Sequence, residues 1–125
     1  MGKFIIRKVN TGYKFDLLAA NGEAILSSEV YSSGAACLRG VESVRKQASA
    51  TSLADLTEPE STVPANPRFE LYRDRSGKYR FRLRSRNGKI IAVSDSYVTR
   101  SGCRDGIESV RLNGPDASVE TLDEA

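Results

Sequence analysis

The feature of this 125-residue sequence most capable of chemistry is a run of basic residues between positions 68 and 89. Nine Lys and Arg residues stand there against two acidic ones, Glu70 and Asp74, so the local charge is +7 in a chain of net charge +3. Within the segment 79–84, arginines alternate with aromatic and aliphatic residues, a pattern typical of a half-buried strand with one charged face. The candidate anion-binding residues are Arg80, Arg82, Arg84, Arg86 and Lys89.

Two interpretations of this arginine row stay open. It is either a solvated sheet face with cross-strand pairing to Glu70, or a surface that binds RNA, DNA or an acidic protein. The matching face of the first half, at Lys14, Asp16 and Leu18, is nearly neutral, so only the second half is expected to bind an anion. Tyr72 could add stacking, but no aromatic RNA-binding signature accompanies it.

Catalytic and metal-binding patterns are missing from the sequence. There is no histidine, which removes Ser-His-Asp and Cys-His catalysis and most zinc sites, and two cysteines are too few for thiolate clusters. No glycine-rich phosphate loop occurs. Glu42 and Glu108, which recur as a pair, are expected to face solvent. We predict no enzymatic activity, no catalytic residue, no metal and no cofactor, and an enzyme of unrecognised type ranks third among the alternatives.

Cys37 and Cys103 are predicted to be small buried side chains. Each is followed by apolar residues at i+4 and i+7, which places it on the apolar face of a helix. A disulfide between them or a reactive thiol is the alternative. The sequence shows no signal-peptide pattern and no apolar run of membrane-spanning length. Together with the unpaired cysteines, this favours a cytoplasmic protein with no membrane contact.

Two further residue pairs recur in both halves. Tyr31 and Tyr97 precede the predicted helices and either cap the core below them, with the hydroxyl reaching the surface, or form one polar site across a pseudo-twofold axis. Gly40 and Gly106 interrupt those helices at a cost of about 1 kcal/mol relative to alanine. Their recurrence predicts that each helix approaches a neighbouring backbone closely.

An internal duplication positions all of these residues. A shift of 66 positions aligns Tyr13 with Tyr79, the Asn-Gly turn at 21–22 with that at 87–88, and the Glu-Ser-Val-Arg segment at 42–45 with that at 108–111. We therefore divide the chain into a first repeat at 1–57, a proline-rich linker at 58–67 and a second repeat at 68–125.

Each repeat is predicted to contain three strands, a helix and a short last strand. The helices are expected at about 33–47 and 99–112, with Ser33 and Thr99 as N-caps, and the last strands at 52–56 and 118–122. A sheet with both helices packed on one face accommodates every apolar row.

Side-chain parity predicts the hairpin that follows the arginine row. A three-residue loop at 86–88, with its glycine left-handed, would place Ile91 opposite Leu83. The same loop in the first repeat would place Ile25 opposite Leu17.

The sequence resembles the YegP-like family. The resemblance rests on elements present twice: a Tyr-x-Phe-x-Leu strand, an Asn-Gly turn, a Ser-acid-x-Tyr step and a helix with Gly-[Ile/Val]-Glu-Ser-Val-Arg. The first copy departs mildly, with one residue fewer in its first turn and Ala19-Ala20 in place of Ser85-Arg86. The resemblance implies β-β-β-α-β units, in tandem or as dimers of single units, that share one sheet and exchange their C-terminal strands. It implies no enzymatic activity and no ligand.

These observations converge on an α+β protein of tandem β-β-β-α-β repeats with one antiparallel sheet, two helices on one face and exchanged C-terminal strands. The expected function is that of a small soluble, non-catalytic structural, accessory or macromolecule-binding module. The alternative is nucleic-acid or polyanion binding through the arginine-rich sheet face of the second repeat. An unknown protein partner is compatible with either, and a monomer is expected because duplication already supplies a pseudo-dimer.

Overall fold

The computed structural model describes residues 2–49, 52–58 and 62–122, which form two helices and eight strands. In chain order the elements are β1 (Lys3–Val9), β2 (Gly12–Leu18), β3 (Ala24–Ser27), α1 (Gly34–Gln47), β4 (Ser52–Asp55), β5 (Arg68–Arg73), β6 (Tyr79–Arg84), β7 (Ile90–Val93), α2 (Arg100–Asn113) and β8 (Ser118–Leu122). The helices begin after the predicted N-caps: the hydroxyls of Ser33 and Thr99 accept hydrogen bonds from the amides of Ala36 and Gly102.

All eight strands form one sheet in the order β4-β5-β6-β7-β3-β2-β1-β8. The six central strands are antiparallel, and the two repeats meet where Ser27 of β3 pairs with Val93 of β7. The last strand of each repeat crosses to the other: β4 pairs with β5, and β8 pairs with β1. The predicted exchange is therefore confirmed. These two outer pairs are parallel, so the complete sheet is mixed.

The core lies between the sheet and the two helices. Phe81 and Leu83 of β6 are fully buried, as are Phe15 and Leu17 of β2. Burial of such side chains contributes roughly 1.5–3 kcal/mol each. Because successive strand residues point to opposite faces, their burial under the helices leaves the alternate polar residues on the open face.

The β6–β7 hairpin has the predicted loop but not the predicted register. The amide of Ser85 bonds the Lys89 carbonyl and Gly88 has a φ of 86°, so the loop comprises residues 86–88 with a left-handed glycine. Leu83, however, lies opposite Ala92 and not opposite Ile91. A β-bulge inserts Ile91 as an extra residue, which allows it to be buried beside Ala92. The first repeat has the same bulge, so Leu17 faces Leu26 and the prediction for Ile25 is also wrong.

The helix glycines accommodate aromatic rings and not a neighbouring backbone, which corrects the sequence prediction. A Cβ built on Gly40 would lie 2.3 Å from the Tyr31 hydroxyl oxygen, and one on Gly106 would lie 2.3 Å from that of Tyr97. Each helix therefore lies directly against a tyrosine ring.

Candidate anion-binding face

The open face of the second repeat is formed by β5 and β6. Their antiparallel register places Glu70 opposite Arg82, Arg68 opposite Arg84, and Tyr72 opposite Arg80. Since the alternate residues of both strands are buried under α2, these six side chains lie on the face that the helices leave open.

Glu70 is the centre of this face. Its Oε1 accepts from the Nε atoms of Arg82 and Arg84, at 2.7 and 2.8 Å, and its Oε2 lies 2.7 Å from Nη2 of Arg68. Its side chain is 2% exposed. Burial alone would raise the pKa of this carboxyl, but the hydrogen bonds from the arginines lower it to about 2. We call these four residues the Glu70 cluster. One carboxylate meets three guanidinium groups, so the cluster has a net charge of +2.

The other contacts of the face hold the arginines in place. The guanidinium of Arg82 lies 4.3 Å from the centre of the Tyr72 ring, within cation–π range. Nη1 of Arg84 donates to the Gly88 carbonyl at 2.8 Å. Arg80 pairs with Asp74 at 3.0 Å, and the hydroxyl of Ser76 together with Arg80 lowers the pKa of Asp74 to about 2.

The structure brings together only part of the predicted site. Arg80, Arg82 and Arg84 share the open face, whereas Arg86 lies in the β6–β7 loop and Lys89 directly follows it, and both are exposed. Arg68, which the candidate set omitted, belongs to the Glu70 cluster. Its place opposite Arg84 could have been found from the β5–β6 register. The predicted pairing to Glu70 is confirmed.

The first repeat has no equivalent cluster. Ile5 occupies the position of Glu70 and is 9% exposed. Nearby, Arg7 pairs with Asp16 at 3.1 Å, and Asp16 also accepts from the Ser27 hydroxyl. One sheet therefore has a strongly basic half and a nearly neutral half.

Tyr31 and Tyr97 cap the cores of their own repeats. The Tyr31 ring stacks on Phe15 with centroids 6.3 Å apart, and the Tyr97 ring stacks on Phe81 at 6.2 Å. Burial is the main reason why the pKa of each phenol is raised. The capping interpretation is confirmed.

Neither cysteine forms a disulfide, and neither side chain is accessible to solvent. Cys37 and Cys103 are free and buried, and burial raises the pKa of each thiol to about 11. The prediction of buried cysteines is confirmed, and no disulfide joins them. Glu42 and Glu108 are exposed and form i,i+3 salt bridges with Arg45 and Arg111.

A second ionic cluster, which the sequence analysis missed, joins the repeats on the helix side. Asp55 of β4 accepts hydrogen bonds from Arg100 and Arg104 of α2 and from the Thr57 amide. Burial would raise the pKa of Asp55, but hydrogen bonds from the Thr57 hydroxyl and from Arg100, together with those from the Thr57 amide and Arg104, lower it. The carboxylate is 7% exposed. Its bonds to Arg100 and Arg104 connect the exchanged strand β4 to helix α2 of the other repeat.

The parts of the chain that the structure describes contain neither a helix able to cross a membrane nor a group of side chains suited to a metal ion. Within residues 2–49, 52–58 and 62–122, neither helix is long and apolar enough to cross a membrane. The same ranges contain no cluster of three or more acidic or cysteine side chains suited to a metal ion.

Comparison with known proteins identifies a family and a fold. The model of a domain of unknown function, DUF1508, matches residues 9–55 and 74–120. The UPF0339 protein YegP of Yersinia pestis is 33% identical over 123 residues, which cover 98% of this chain and 96% of that protein. A UPF0339 protein of Treponema denticola is 56% identical over 52 residues, 42% of this chain but 90% of that protein, and so has the length of one repeat. The solution structure of yegP from E. coli, described as a protein of unknown function, superposes with a TM-score of 0.79 at 31% identity, covering 99% of this chain and 95% of that one.

Proposed function

The chain belongs to the DUF1508 family, a domain of unknown function present here in two copies, and on this premise we propose that it is a non-catalytic binding module. Its open sheet face binds an extended polyanion, with nucleic acid as the favoured ligand. The module acts as a monomer in the cytoplasm, where its two buried thiols stay reduced.

The Glu70 cluster is the observation that supports this proposal. A buried carboxylate holds three guanidinium groups in fixed positions and neutralises only one of them. Guanidinium groups are well suited to phosphate because their donors match its oxygens. The positions are set before binding, so little side-chain entropy is lost when a phosphate arrives.

The fold itself does not need this cluster. The first repeat builds the same strands with Ile5 at the position of Glu70, and apolar replacements of buried ion clusters are often neutral or stabilising. A charged cluster in only one of two otherwise similar repeats is therefore better explained by binding than by folding.

The surroundings of the cluster extend its positive field. Arg75 and Lys78 are exposed in the β5–β6 turn, at one end of this face. Arg80, Arg82 and Arg84 alternate along β6, so same-face neighbours lie roughly 7 Å apart, within the screening length of about 8 Å at physiological salt, and their fields add. An open basic sheet face is a surface on which single-stranded nucleic acid can lie.

The absence of catalysis is part of the proposal. A thiol with a pKa of about 11 is a poor nucleophile at neutral pH, and the sequence has no histidine to act as a base.

Salt-dependent binding tests the proposed function. Fluorescence anisotropy with labelled single-stranded and duplex RNA and DNA should show affinity at low salt that falls steeply as salt rises. Three or four phosphate contacts predict a slope of log K against log salt of roughly −3.

A matched pair of variants separates the cluster from overall charge. Glu70→Gln/Arg82→Gln/Arg84→Gln removes the cluster without leaving a buried carboxylate unpaired, and it lowers the net charge by one. Lys14→Gln lowers the net charge by the same amount on the first repeat. The triple variant should lose affinity and about two units of salt slope, whereas Lys14→Gln should bind normally. Equal binding by both variants, or no binding of any nucleic acid at low salt, would show the proposal to be wrong.

A further inference from the structure

A polar cleft of about 550 Å³ lies between α1 and the β6–β7 hairpin, on the helix side of the sheet and away from the Glu70 cluster. The first repeat contributes Tyr31, Arg39 and Ser43, and the second contributes Asn87 and Lys89. This volume is within the range of about 300–1,000 Å³ that is usual for small-molecule sites. The cleft exists only because the two repeats share one sheet.

Two cations in this cleft have no counter-ion among the residues that the structure describes. Neither Arg39 nor Lys89 forms a side-chain hydrogen bond or an ion pair with any residue that the structure describes, in contrast to the arginines of the open face. The only carboxylate in the lining is Glu29, which is exposed and lies close enough to Tyr31 to contribute to its raised pKa. The lining therefore has an excess of positive charge at its Arg39–Lys89 side.

The wall of the cleft also holds a fixed hydroxyl group. The Tyr31 ring lies between Phe15, on which it stacks, and Gly40, where a Cβ would come within 2.3 Å of the hydroxyl oxygen. A ring confined on both sides keeps its hydroxyl in one place, which favours recognition of a particular ligand atom.

We propose that this cleft binds a small organic phosphate of the size of a sugar phosphate. Arg39 and Lys89 match the two negative charges of the phosphate group, and the hydroxyls of Tyr31 and Ser43 donate hydrogen bonds to its oxygens. Glu29 is placed to accept hydrogen bonds from the hydroxyl groups of the ligand body. The Oδ1 atom of Asn87 already accepts from the Ser85 hydroxyl and the Lys89 amide, so Asn87 offers its side-chain NH2 group as a donor to the ligand oxygens.

The duplication supplies an internal control. The shift of 66 positions places Asp105 at the position of Arg39, and Glu23 at that of Lys89. Glu23 contributes to the raised pKa of Tyr97, so it lies near the tyrosine that corresponds to Tyr31. The corresponding site in the other half therefore has acidic residues where the proposed site has basic ones, and it should not bind phosphate.

Amide chemical shifts in a titration with ribose 5-phosphate test the proposal. Saturable shifts are expected at Gly40, Asn87 and Lys89, with none at Gly106 or Glu23. Ribose without phosphate should cause no shifts, and citrate shows whether a carboxylate can replace the phosphate group. Stronger binding of citrate than of ribose 5-phosphate would overturn the assignment to a phosphate.

Exchange of residues between the two sites gives the decisive result. Arg39→Asp/Lys89→Glu should weaken binding at least about tenfold, because an anion would meet two like charges. The reciprocal variant Glu23→Lys/Asp105→Arg should add new shifts near Gly106. All four residues are exposed, so the variants should keep the native spectrum.

The open face provides the last control. Glu70→Gln/Arg82→Gln/Arg84→Gln should bind ribose 5-phosphate as the unaltered protein does, which separates this proposal from the nucleic-acid proposal. Absence of saturable shifts at millimolar ligand, shifts confined to the Glu70 cluster, or unchanged binding by Arg39→Asp/Lys89→Glu would each overturn it.

Discussion

At the scale of single residues, the difference between Glu70 and Ile5 gives the two halves of the sheet their different surfaces. Both residues sit at the same strand position, and both are nearly buried. Around Ile5, the neighbouring polar residues pair among themselves. Around Glu70, one carboxylate organises three guanidinium groups, so an exposed basic face is fixed by a residue that is itself hidden.

Glu70 should stabilise the protein most at neutral pH. Its folded pKa of about 2 is below the ordinary value of 4.5, so its contribution is complete above pH 4.5 and is lost as the pH falls toward 2. The shift corresponds to on the order of 3 kcal/mol. Urea unfolding at several pH values should show Glu70→Gln less stable at pH 7, with the difference closing below pH 4.

A control variant makes this measurement specific. Glu42→Gln removes an exposed carboxylate in an i,i+3 pair and should change the free energy of unfolding by less than about 0.5 kcal/mol at every pH. A difference between Glu70→Gln and the unaltered protein that stays constant from pH 7 to pH 2 would contradict the prediction.

The cysteine thiols should be unreactive in the folded protein. With a pKa of about 11, only about a thousandth of each thiol is ionised at pH 8, and both side chains are fully buried. A thiol-specific colorimetric reagent should therefore react very slowly with the folded protein in buffer. In concentrated urea, which unfolds the protein, the same reagent should react quickly with two thiols per chain. Rapid reaction of either cysteine without denaturant would be evidence against this account.

At the scale of elements, a tyrosine ring against a helix glycine sets the distance between helix and sheet. Gly106→Ala should destabilise the protein by about 1–3 kcal/mol, although alanine favours helix, because its methyl group would meet the Tyr97 ring and Phe81. Thermal or urea unfolding measures the effect.

Removal of the ring provides the control for this prediction. In a Tyr97→Ala background only the contact with Phe81, at 2.9 Å from the added Cβ, remains, so Gly106→Ala should cost clearly less stability than in the unaltered protein. The same loss of stability in both backgrounds would mean that the close contact is not the cause.

The exchanged strand β4 depends on Asp55. Asp55→Asn should cost about 1–3 kcal/mol because the buried acceptor of Arg100 and Arg104 loses its charge. Hydrogen exchange should report faster opening of β4 and of its neighbour β5. Thr121, at the corresponding position of β8, is exposed, so Thr121→Ala should change stability by less than about 0.5 kcal/mol. Equal effects of the two substitutions would contradict the assigned role.

At the scale of the whole molecule, strand exchange makes each repeat incomplete alone. In the full chain, β4 completes the second half of the sheet and β8 completes the first. A fragment comprising residues 62–125 lacks β4 and should form a symmetric dimer in which each β8 pairs with β5 of the other copy. The Treponema denticola relative has this single-repeat length.

Light scattering coupled to size exclusion tests the exchange. The fragment should have about the mass of the full chain, 13.7 kDa, and the full chain should be monomeric at the same concentration. A folded monomeric fragment would mean that β8 can complete its own repeat.

The sequence alone was sufficient for the elements, the duplication and the packing of both helices on one face of a sheet. Alternation in Tyr79–Arg84, the capping residues Ser33 and Thr99 and the 66-residue repeat are local or periodic signals, and they predicted strands, helices and duplication correctly. The exchange of strands came from the family resemblance, since spacing along a chain does not say which edge a short strand joins.

The tertiary structure decided which groups meet. The bulge at Ile91 changed the register because burial of both Ile91 and Ala92 outweighed regular pairing. The structure places Asp55 against Arg100, and it places Arg39 and Lys89 in one cleft. The members of each pair are about 45 to 50 positions apart in the sequence and belong to different repeats. Long-range strand pairing, which no local pattern specifies, decides which arginines are neutralised. It also decides that Arg39 and Lys89 have no partner within residues 2–49, 52–58 and 62–122.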